Sequence, residues 1–448
     1  MLNEIFKAYD IRGIYNQTLT EDVVYKIGRA LGYFLKSKDI IVGTDMRISS
    51  PKLSKSLMRG ITEQGVNAVF IGQVCTDATY FASGFLNKPA VMFTASHNPK
   101  QYNGLKLSRE NAIPINEDTG LQKIKGIIEK EDYNKTKIKR KGKIIKKNIL
   151  KNYVNHVHKF IDANKLKKLK VSVDAGNGMA GKIIPLVYKN LPVKIVPIYF
   201  KLDGNFPNHL ADPSKYENLG ELQKIVKRKN CDFGMAFDGD ADRIFFVDEN
   251  GNVINSSLVS ALIIKNILKN KKGEKIIHNV VCSKIVSETI KKYNGTAIIE
   301  RVGHSFIKDT MRKTKALFAC EHSAHYYYRN NYRADSGIIT SLIVSEIVSR
   351  ENKKLSELLD EFKKYHTLEE TSIEAKDKNA KLNEIKEIYK NQNPKKISKM
   401  DGITIEFDDW WFNVRPSNTE PLLRLNLEAD SEELMKEKRK EVLELMKK

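Results

Sequence analysis

The sequence lacks the long apolar segments and the leader pattern of membrane and secreted proteins. Its best apolar run, Leu258–Ile264, is far shorter than the ~18 residues that a membrane-spanning helix requires. The first residues, Met1 to Phe6, show no basic region followed by an apolar core, so we expect no secretory signal. Cysteine is also scarce, with 4 among 448 residues and none in C-x-x-C spacing. We therefore predict reduced thiols, no structural zinc, no membrane partner and a cytoplasmic location.

Negative charge is in short supply as well. The chain has 55 Asp and Glu against 77 Lys and Arg, a formal net charge of +22. Such a balance fits either a nucleic-acid partner or the attraction of small anionic substrates. The excess is densest at Lys135–Lys147 and Lys165–Lys170, where aromatic residues do not alternate with the lysines as in a single-strand binding groove. We therefore predict no nucleic-acid partner, and keep a basic nucleic-acid-binding protein as the alternative from another functional class.

The length predicts three or four domains, since one core rarely serves more than about 150 residues. Apolar runs and amphipathic stretches follow one another in β-α-β order, which implies parallel sheets covered by helices. This order begins three times, and from about Leu368 it gives way to an α+β pattern. We predict domains at 1–147, 148–250, 251–366 and 367–448.

The predicted elements of the first domain have clear boundaries. Its strands are expected at Ile40–Val42, Val66–Ile71 and Ala90–Phe93, and its helices at Glu21–Leu35 and Pro51–Gln64. The second helix should have Ser50 as its N-cap and Pro51 as its first helical residue.

The first motif is the turn Thr94–Pro99, directly after the predicted strand Ala90–Phe93. The carboxyl end of a strand is where open α/β sheets bind ligands. Ser96 is therefore a candidate nucleophile or phosphate acceptor. The same six residues are also compatible with an ordinary turn before a proline, and they lack the G-x-S-x-G frame of a hydrolase.

The second motif is an acidic loop with three carboxylates at alternate positions around a glycine. Carboxylates so close repel one another unless a cation lies between them. The predicted ligands of one hard cation such as Mg²⁺ are Asp238, Asp240 and Asp242. An EF-hand is excluded because Arg243 stands where its loop requires glycine, and because the flanks at 233–237 and 244–247 have strand patterns.

The third motif, Arg415–Pro421, lies between two apolar strands. An arginine, two hydroxyls, an amide and a constrained backbone are typical of a phosphate-binding loop. An ordinary polar hairpin explains the same residues equally well.

A fourth pattern, Gly176–Gly181, matches G-x-G-x-x-G after a predicted strand, with Asp203 at a suitable distance for a ribose contact. Alone it indicates a dinucleotide-binding enzyme, but the other three motifs have no place in that interpretation.

Taken together, these residues resemble the α-D-phosphohexomutase superfamily and, within it, the phosphomannomutase/phosphoglucomutase group. The resemblance covers nearly the whole chain, and the ordered set of motifs is highly specific. The motifs that carry it are Phe6–Gly13, Thr94–Pro99, Tyr102–Lys106, Val173–Gly178, Asp238–Arg243, Gly303-His304, Glu321–His325 and Arg415–Pro421. In that family Gly176–Gly181 is similar to a structural turn of the second domain, which removes the dinucleotide interpretation.

The resemblance implies an α/β fold with three consecutive α/β domains containing mixed sheets, and a smaller C-terminal α+β domain, around a central cleft. In chain order these would be the phosphoserine, metal-binding, sugar-recognition and phosphate-binding domains. The implied activity is a phosphohexose mutase, an isomerase that interconverts hexose 6-phosphate and hexose 1-phosphate, of mannose and/or glucose. It would act through a phosphoserine and a hexose 1,6-bisphosphate, which also serves as activator. Phosphoglucosamine mutase is the alternative, and we expect a monomer or weak homo-oligomer.

The resemblance also implies roles for single residues. The catalytic residues would be Ser96, Arg12, Lys106 and His325, and the Mg²⁺ ligands Ser96, Asp238, Asp240 and Asp242. The substrate-binding residues would be Tyr9, Arg243, Lys284, His304, Glu321, Ser323, His325, Arg415, Ser417, Asn418 and Thr419.

The segment Ala319–His325, which contains the predicted sugar loop at residues 321–325, departs from the family pattern Gly-Gly-Glu-x-Ser-Gly-His. Ala319 and Cys320 replace the glycine pair, and Ala324 replaces the later glycine. If those glycines need positive φ, we expect the loop to bend differently, with an effect on sugar preference more than on catalysis.

Overall fold

The apolar runs of the sequence become the central strands of four sheets, one in each successive part of the chain. The computed structural model describes residues 2–367, 370–375, 377–417 and 422–447. Three sheets are mixed and are followed by one antiparallel sheet, as the predicted fold class requires. No helix within these ranges is both long and apolar enough to cross a bilayer.

The first sheet has six strands in the order β1-β5-β4-β2-β3-β6. Its strands are β1 Ile11–Ile14, β2 Asp39–Thr44, β3 Asn67–Gln73, β4 Ala90–Phe93, β5 Tyr102–Ser108 and β6 Ile144–Lys146. Its helices are α1 Leu2–Ile5, α2 Glu21–Leu35, α3 Ser50–Glu63, α4 Thr76–Leu86 and α5 Gln122–Glu129. Strand β2 runs parallel to β3 and β4, whereas β5 is antiparallel to β4 and β1.

The second sheet has the order β11-β10-β9-β7-β8. Its strands are β7 Leu169–Asp174, β8 Val193–Ile198, β9 Phe233–Phe237, β10 Ile244–Val247 and β11 Val253–Ile254. Its helices are α6 Leu150–Val157, α7 Ala180–Tyr188 and α8 Gly220–Arg228. Strands β9 and β10 form an antiparallel pair around the acidic loop, so the strand flanks that excluded an EF-hand are confirmed.

The third sheet has the order β13-β12-β14-β15-β16. Its strands are β12 Lys275–Asn279, β13 Thr296–Glu300, β14 Phe318–Cys320, β15 Tyr326–Tyr328 and β16 Ala334–Asp335. Its helices are α9 Ser256–Asn270, α10 Lys284–Lys292, α11 His304–Thr314, α12 Gly337–Glu351 and α13 Leu355–Leu359. The loops after β4, β9 and β14 all leave the carboxyl ends of parallel strands, where α/β sheets bind ligands.

The C-terminal sheet has the order β17-β22-β21-β20-β19, with β18 also paired to β22. Its strands are β17 His366–Thr367, β18 Thr371–Glu374, β19 Lys396–Ser398, β20 Ile403–Glu406, β21 Trp410–Pro416 and β22 Leu422–Ala429. Two helices, α14 Lys378–Lys390 and α15 Glu432–Lys447, complete this part of the chain.

The apolar cores separate the last sheet from the others. One continuous core joins the second and third sheets to a face of the first, and includes Ile41, Val171 and Phe318. The C-terminal sheet has its own core around Tyr389 and Phe412. A part of a chain with a separate core moves more readily relative to its neighbours.

The start of α3 differs from the prediction. Ser49, not Ser50, precedes the helix, so Ser50 is the first helical residue and Pro51 the second. The hydroxyl of Ser50 donates to Asp45 at 2.9 Å instead of capping the helix. The predicted N-cap was wrong by one residue because a tertiary partner captures the serine.

Candidate active site

Ser96 lies in a strained turn at the carboxyl end of β4. Its φ of +49° is in the left-handed region, which costs a residue with a side chain about 1–2 kcal/mol. The backbone N–H of Ser96 donates to Thr94 Oγ1 at 2.8 Å, which fixes the start of the turn. The strain therefore has to be held by neighbouring groups.

Arg47 holds this turn, and the sequence motifs did not reveal it. Its guanidinium is buried and donates to four carbonyl oxygens at 2.6–2.9 Å, those of Ser96, Asn98 and Pro99 in the turn and that of Tyr102 at the start of β5. The buried carboxylate of Asp45 lies 3.3 Å from Arg47 Nε and orients the side chain. Both residues follow strand β2 at its carboxyl end, and that position is the signal that could have found them.

The acidic loop lies directly against Ser96. Ser96 Oγ donates to Asp238 Oδ2 at 2.5 Å, and the predicted ligands Asp238, Asp240 and Asp242 each offer an oxygen within 4.8 Å of the others. All three are buried. Among the described residues, Asp240 Oδ1 and Asp242 Oδ1 are buried and have no hydrogen-bond partner. Orphaned buried carboxylate oxygens fit a hard divalent cation.

The electrostatics of this cluster favour positive charge. Burial, and then the charges of Asp242 and Asp240, raise the pKa of Asp238 well above its usual range. Burial alone would also raise the pKa of Asp240, but the adjacent Lys106 ammonium lowers it below its usual range. Lys106, on β5, bridges Asp240 at 2.8 Å and Asp242 at 2.6 Å. One lysine thus compensates part of the negative charge of three carboxylates.

Glycines allow the two loops to approach closely. A Cβ on Gly239 would lie 2.4 Å from the carbonyl oxygen of Ser96. A Cβ on Gly178 would lie 2.7 Å from the carbonyl oxygen of Gly239, and one on Gly181 2.2 Å from that of Phe200. Within the G-x-G-x-x-G pattern, Gly178 therefore packs against the acidic loop, whereas Gly181 packs against the backbone of Phe200.

Basic residues surround the Ser96 turn. Arg12 donates to Asn98 Oδ1 at 2.7 Å and pairs with Asp10 at 2.5 Å. Arg243 Nε donates to Asp238 Oδ2 at 3.1 Å, and so contacts the same oxygen as Ser96. His97, which the motif analysis did not assign, places Nδ1 3.1 Å from Ser96 Oγ.

The sugar loop, residues 321–325, faces the acidic loop. Arg243 and His325 form an isolated antiparallel bridge, and Ser323 Oγ lies 2.9 Å from His325 Nδ1. His325 Nε2 lies 3.6 Å from Asp242 Oδ1. Glu321 is buried and accepts hydrogen bonds from Tyr327, Asn279 and the N–H of Gly303.

Ala324 replaces the later glycine of the family pattern. Ala324 itself has φ of +63°, so it adopts the left-handed conformation in place of glycine. The bridge between Arg243 and His325 fixes the residue that follows Ala324. The different bend and its effect on sugar preference stay predictions.

Tyr9 and His304 form an aromatic pair, with ring centroids 5.2 Å apart at an edge-to-face angle of 76°. Both ring nitrogens of His304 are buried and have no partner in the described part of the chain. Burial lowers the pKa of His304 well below its usual range, and the charge of Lys308 lowers it further. A neutral imidazole with free nitrogens is suited to a polar ligand.

The residues predicted to bind the second phosphate of the substrate belong to the C-terminal part of the chain. Arg415 and Ser417 are buried near the end of β21, while Asn418 and Thr419 lie outside the described residues. Arg415 Nη2 donates to Glu370 at 2.8 Å. Lys284 begins helix α10, and its backbone N–H donates to Glu428 of β22 at 3.0 Å. The C-terminal sheet and the third domain are thereby in contact where Glu428 pairs with Trp411, four residues along β21 from Arg415.

Comparisons with known proteins agree with this geometry. Four family descriptions match in order: phosphoglucomutase/phosphomannomutase alpha/beta/alpha domain I at residues 3–135, domain II at 151–251, domain III at 255–365 and the C-terminal domain at 370–445. The chain belongs to the phosphoglucomutase/phosphomannomutase family. It is therefore an isomerase of the hexose phosphate mutase class.

Individual relatives cover nearly the whole chain. The phosphomannomutase of Methanocaldococcus jannaschii is 40% identical over 99% of this chain and 98% of its own. The phosphomannomutase of Vibrio cholerae is 38% identical, with coverage of 99% and 98%. The crystal structure of a family protein from Burkholderia thailandensis superimposes with a TM-score of 0.90, at 29% identity, over 99% of this chain and 97% of that one.

Proposed function

We propose that the protein interconverts hexose 6-phosphate and hexose 1-phosphate, with Ser96 as the phosphate carrier. The observation that carries this proposal is the position of Ser96 Oγ. It lies 2.5 Å from Asp238, in a strained turn, beside three buried carboxylates and the Lys106 ammonium. Such a site provides a nucleophile, a cation site and positive charge at one point, which is what phosphoryl transfer requires.

In the forward half-reaction, the P–O bond of phospho-Ser96 breaks while a hydroxyl oxygen of the bound sugar forms a new bond to phosphorus. The hydroxyl loses its proton and Ser96 Oγ regains one. The product is a hexose 1,6-bisphosphate, and its other phosphate returns to Ser96 after the sugar has turned round. We propose Mg²⁺ held by Asp238, Asp240, Asp242 and Ser96 as the group that neutralises the transferring phosphoryl oxygens.

The chain's own residues divide the remaining work. Arg12 and Lys106 stabilise charge on the transferring oxygens. Burial lowers the pKa of Lys106, but Asp240 and Asp242 outweigh it and raise that pKa well above its usual range. His325, between Ser323 and Asp242, is placed to accept the hydroxyl proton.

The sugar and the distal phosphate, which is the phosphate that is not reacting, would be bound mainly by residues of the third and fourth domains. We assign the sugar hydroxyls to Glu321 and Ser323, with Tyr9 and His304 alongside. Arg415, Ser417, Asn418 and Thr419 would bind the phosphate that is not reacting, helped by Lys284, with Arg243 near the reacting end. A planar guanidinium matches a phosphate dianion bidentately.

Mannose and glucose phosphates are the proposed substrates, since the relatives from M. jannaschii and V. cholerae are named phosphomannomutases and the family description names phosphoglucomutase as well. Phosphoglucosamine mutase activity is the second candidate. A more distant structure of the same fold, an N-acetylphosphoglucosamine mutase from Aspergillus fumigatus with a TM-score of 0.61 at 13% identity, was solved with glucose 1,6-bisphosphate. We propose that bisphosphate as the activator here.

The net charge of +22 would attract such anions. A cytoplasmic location, a monomeric or weakly associated state and the absence of a nucleic-acid partner stay predictions.

The test is a set of coupled assays with mannose, glucose and glucosamine 1-phosphates, each with and without hexose 1,6-bisphosphate. We expect turnover of mannose and glucose phosphates that disappears in Ser96→Ala and in EDTA. Undiminished turnover of Ser96→Ala would contradict the assignment of the carrier. A rate that survives EDTA would contradict the metal site.

A further inference from the structure

The proposed phosphate site around Arg415 contains a carboxylate that belongs to none of the sequence motifs. Glu370 directly precedes β18, and its two oxygens are shared by three donors of the C-terminal sheet. Oε2 accepts from Arg415 Nη2 at 2.8 Å and from Asn426 Nδ2 at 3.1 Å. Oε1 accepts from Arg424 Nη1 at 2.8 Å.

The strand register explains why an anion is needed at this point. Arg415 on β21 and Arg424 on β22 are direct partners across the antiparallel pair. Like charges directly opposite one another destabilise such a pair, and Glu370 lies where it compensates them. Burial alone would raise the pKa of Glu370, but Arg415 and Arg424 lower it to about 2. The carboxylate is therefore charged throughout the neutral range.

Glu370 does not saturate Arg415. It contacts one terminal nitrogen of the guanidinium, while Arg415 Nε is buried and has no hydrogen-bond partner among the residues that the structure describes. A carboxylate oxygen at Nη2 offers Arg415 the same interaction as a phosphate oxygen. Two arginines and one carboxylate leave a net charge of +2 − 1 = +1, which is less than the charge of a phosphate dianion.

We propose that Glu370 is an internal competitor for the distal phosphate. It occupies Arg415 when no phosphate is bound there, and it weakens the binding of phosphate by offsetting one positive charge. Weak binding at this end is useful because the bisphosphate must leave the distal site and turn round between the two half-reactions. Uniformly tight binding of such an intermediate slows turnover. The inference rests on the proposed role of Arg415 in binding the distal phosphate.

The test compares Glu370→Gln with the parent enzyme. Glutamine keeps the size of the side chain and removes its charge. Calorimetric titration with inorganic phosphate should give a Kd about tenfold lower than that of the parent, as expected when one opposing charge is removed from an anion site. With hexose 1-phosphate as substrate, KM and kcat should both fall. Glu374→Gln, on the exposed side of β18, is the matched control and should leave Kd unchanged.

Further variants make the result decisive. Glu370→Asp keeps the negative charge but moves the carboxylate away from the arginines, and it is the variant to use if Glu370→Gln does not fold. It should also tighten phosphate binding, to a smaller extent than Glu370→Gln. Unchanged or weaker binding in a folded Glu370 variant would overturn the proposal. Arg415→Ala separates this from the proposed function: if Arg415→Ala binds phosphate as the parent does, the role of Arg415 itself is wrong. If only Arg415→Ala loses affinity and no Glu370 variant gains it, the competitor alone is refuted.

Discussion

Gly239 offers the sharpest test of how closely the acidic loop must approach the phosphate carrier. A Cβ at this position would lie 2.4 Å from the carbonyl oxygen of Ser96, whereas a carbon and a carbonyl oxygen normally stay about 3.3 Å apart. The two loops would therefore have to separate by about 0.9 Å. Ser96 cannot retreat easily, because Arg47 Nη2 holds the same oxygen at 2.8 Å.

Gly239→Ala should therefore displace the acidic loop and break the contact between Ser96 and Asp238. A misplacement of about 1 Å at a reacting centre costs roughly 100-fold in rate, so we expect kcat to fall by about that factor. The assay is steady-state turnover at saturating hexose 1-phosphate, with thermal unfolding as a check on the fold. Gly220→Ala is the control, because no atom lies within 4 Å of the added Cβ. A kcat within about threefold of the parent's would refute the reasoning about loop approach.

Three further predictions follow from other contacts. Arg47→Lys removes a planar fork that serves four carbonyls and should lower kcat by about 10- to 100-fold, measured by turnover; full activity would mean that the strained turn holds itself. Ala324→Gly relieves a left-handed alanine and should raise the unfolding free energy by about 1 kcal/mol in urea titrations with kcat unchanged, and a loss of stability would contradict this. Burial lowers the pKa of the His209 imidazole, but the hydrogen bond to Asp174 at 3.0 Å outweighs burial and raises that pKa above 6.5. The charged imidazole therefore stabilises the fold fully below pH ~6.5, and this stabilisation is lost as the pH rises through the pKa of His209 in the folded state. Unfolding curves at several pH values should show this loss in the parent and not in His209→Asn, and identical pH profiles would refute it.

Much of the architecture could be predicted from local sequence. The helix Glu21–Leu35 and the strands Ala90–Phe93 and Phe233–Phe237 were predicted to the residue, because apolar periodicity and turn residues mark their ends. Strand β5 could not be found in this way. Its Asn103, Lys106 and Ser108 are buried polar residues, and their burial is explained by partners far away in the chain.

The residues of the candidate site also fall into those that local sequence predicts and those that it does not. The acidic loop and the serine turn are contiguous motifs, so the sequence alone indicated them. Arg47 and Glu370 were not predicted, because each acts through contacts with a segment about 50 residues away and neither belongs to a contiguous motif. The start of α3 was misplaced for a related reason, since Ser50 bonds to Asp45 in three dimensions and not to its own helix.

The measurement that tests the central claim most directly is rapid-quench transfer of labelled phosphate. Enzyme would be loaded with labelled hexose 1,6-bisphosphate, freed of excess ligand and mixed with unlabelled hexose 6-phosphate for less than one turnover. Peptide mapping by mass spectrometry would locate the label at each time. We expect label on Ser96 alone before mixing, and its appearance in the hexose bisphosphate at a rate no slower than kcat. Label on another residue, or on Ser96 but released more slowly than turnover, would contradict the account.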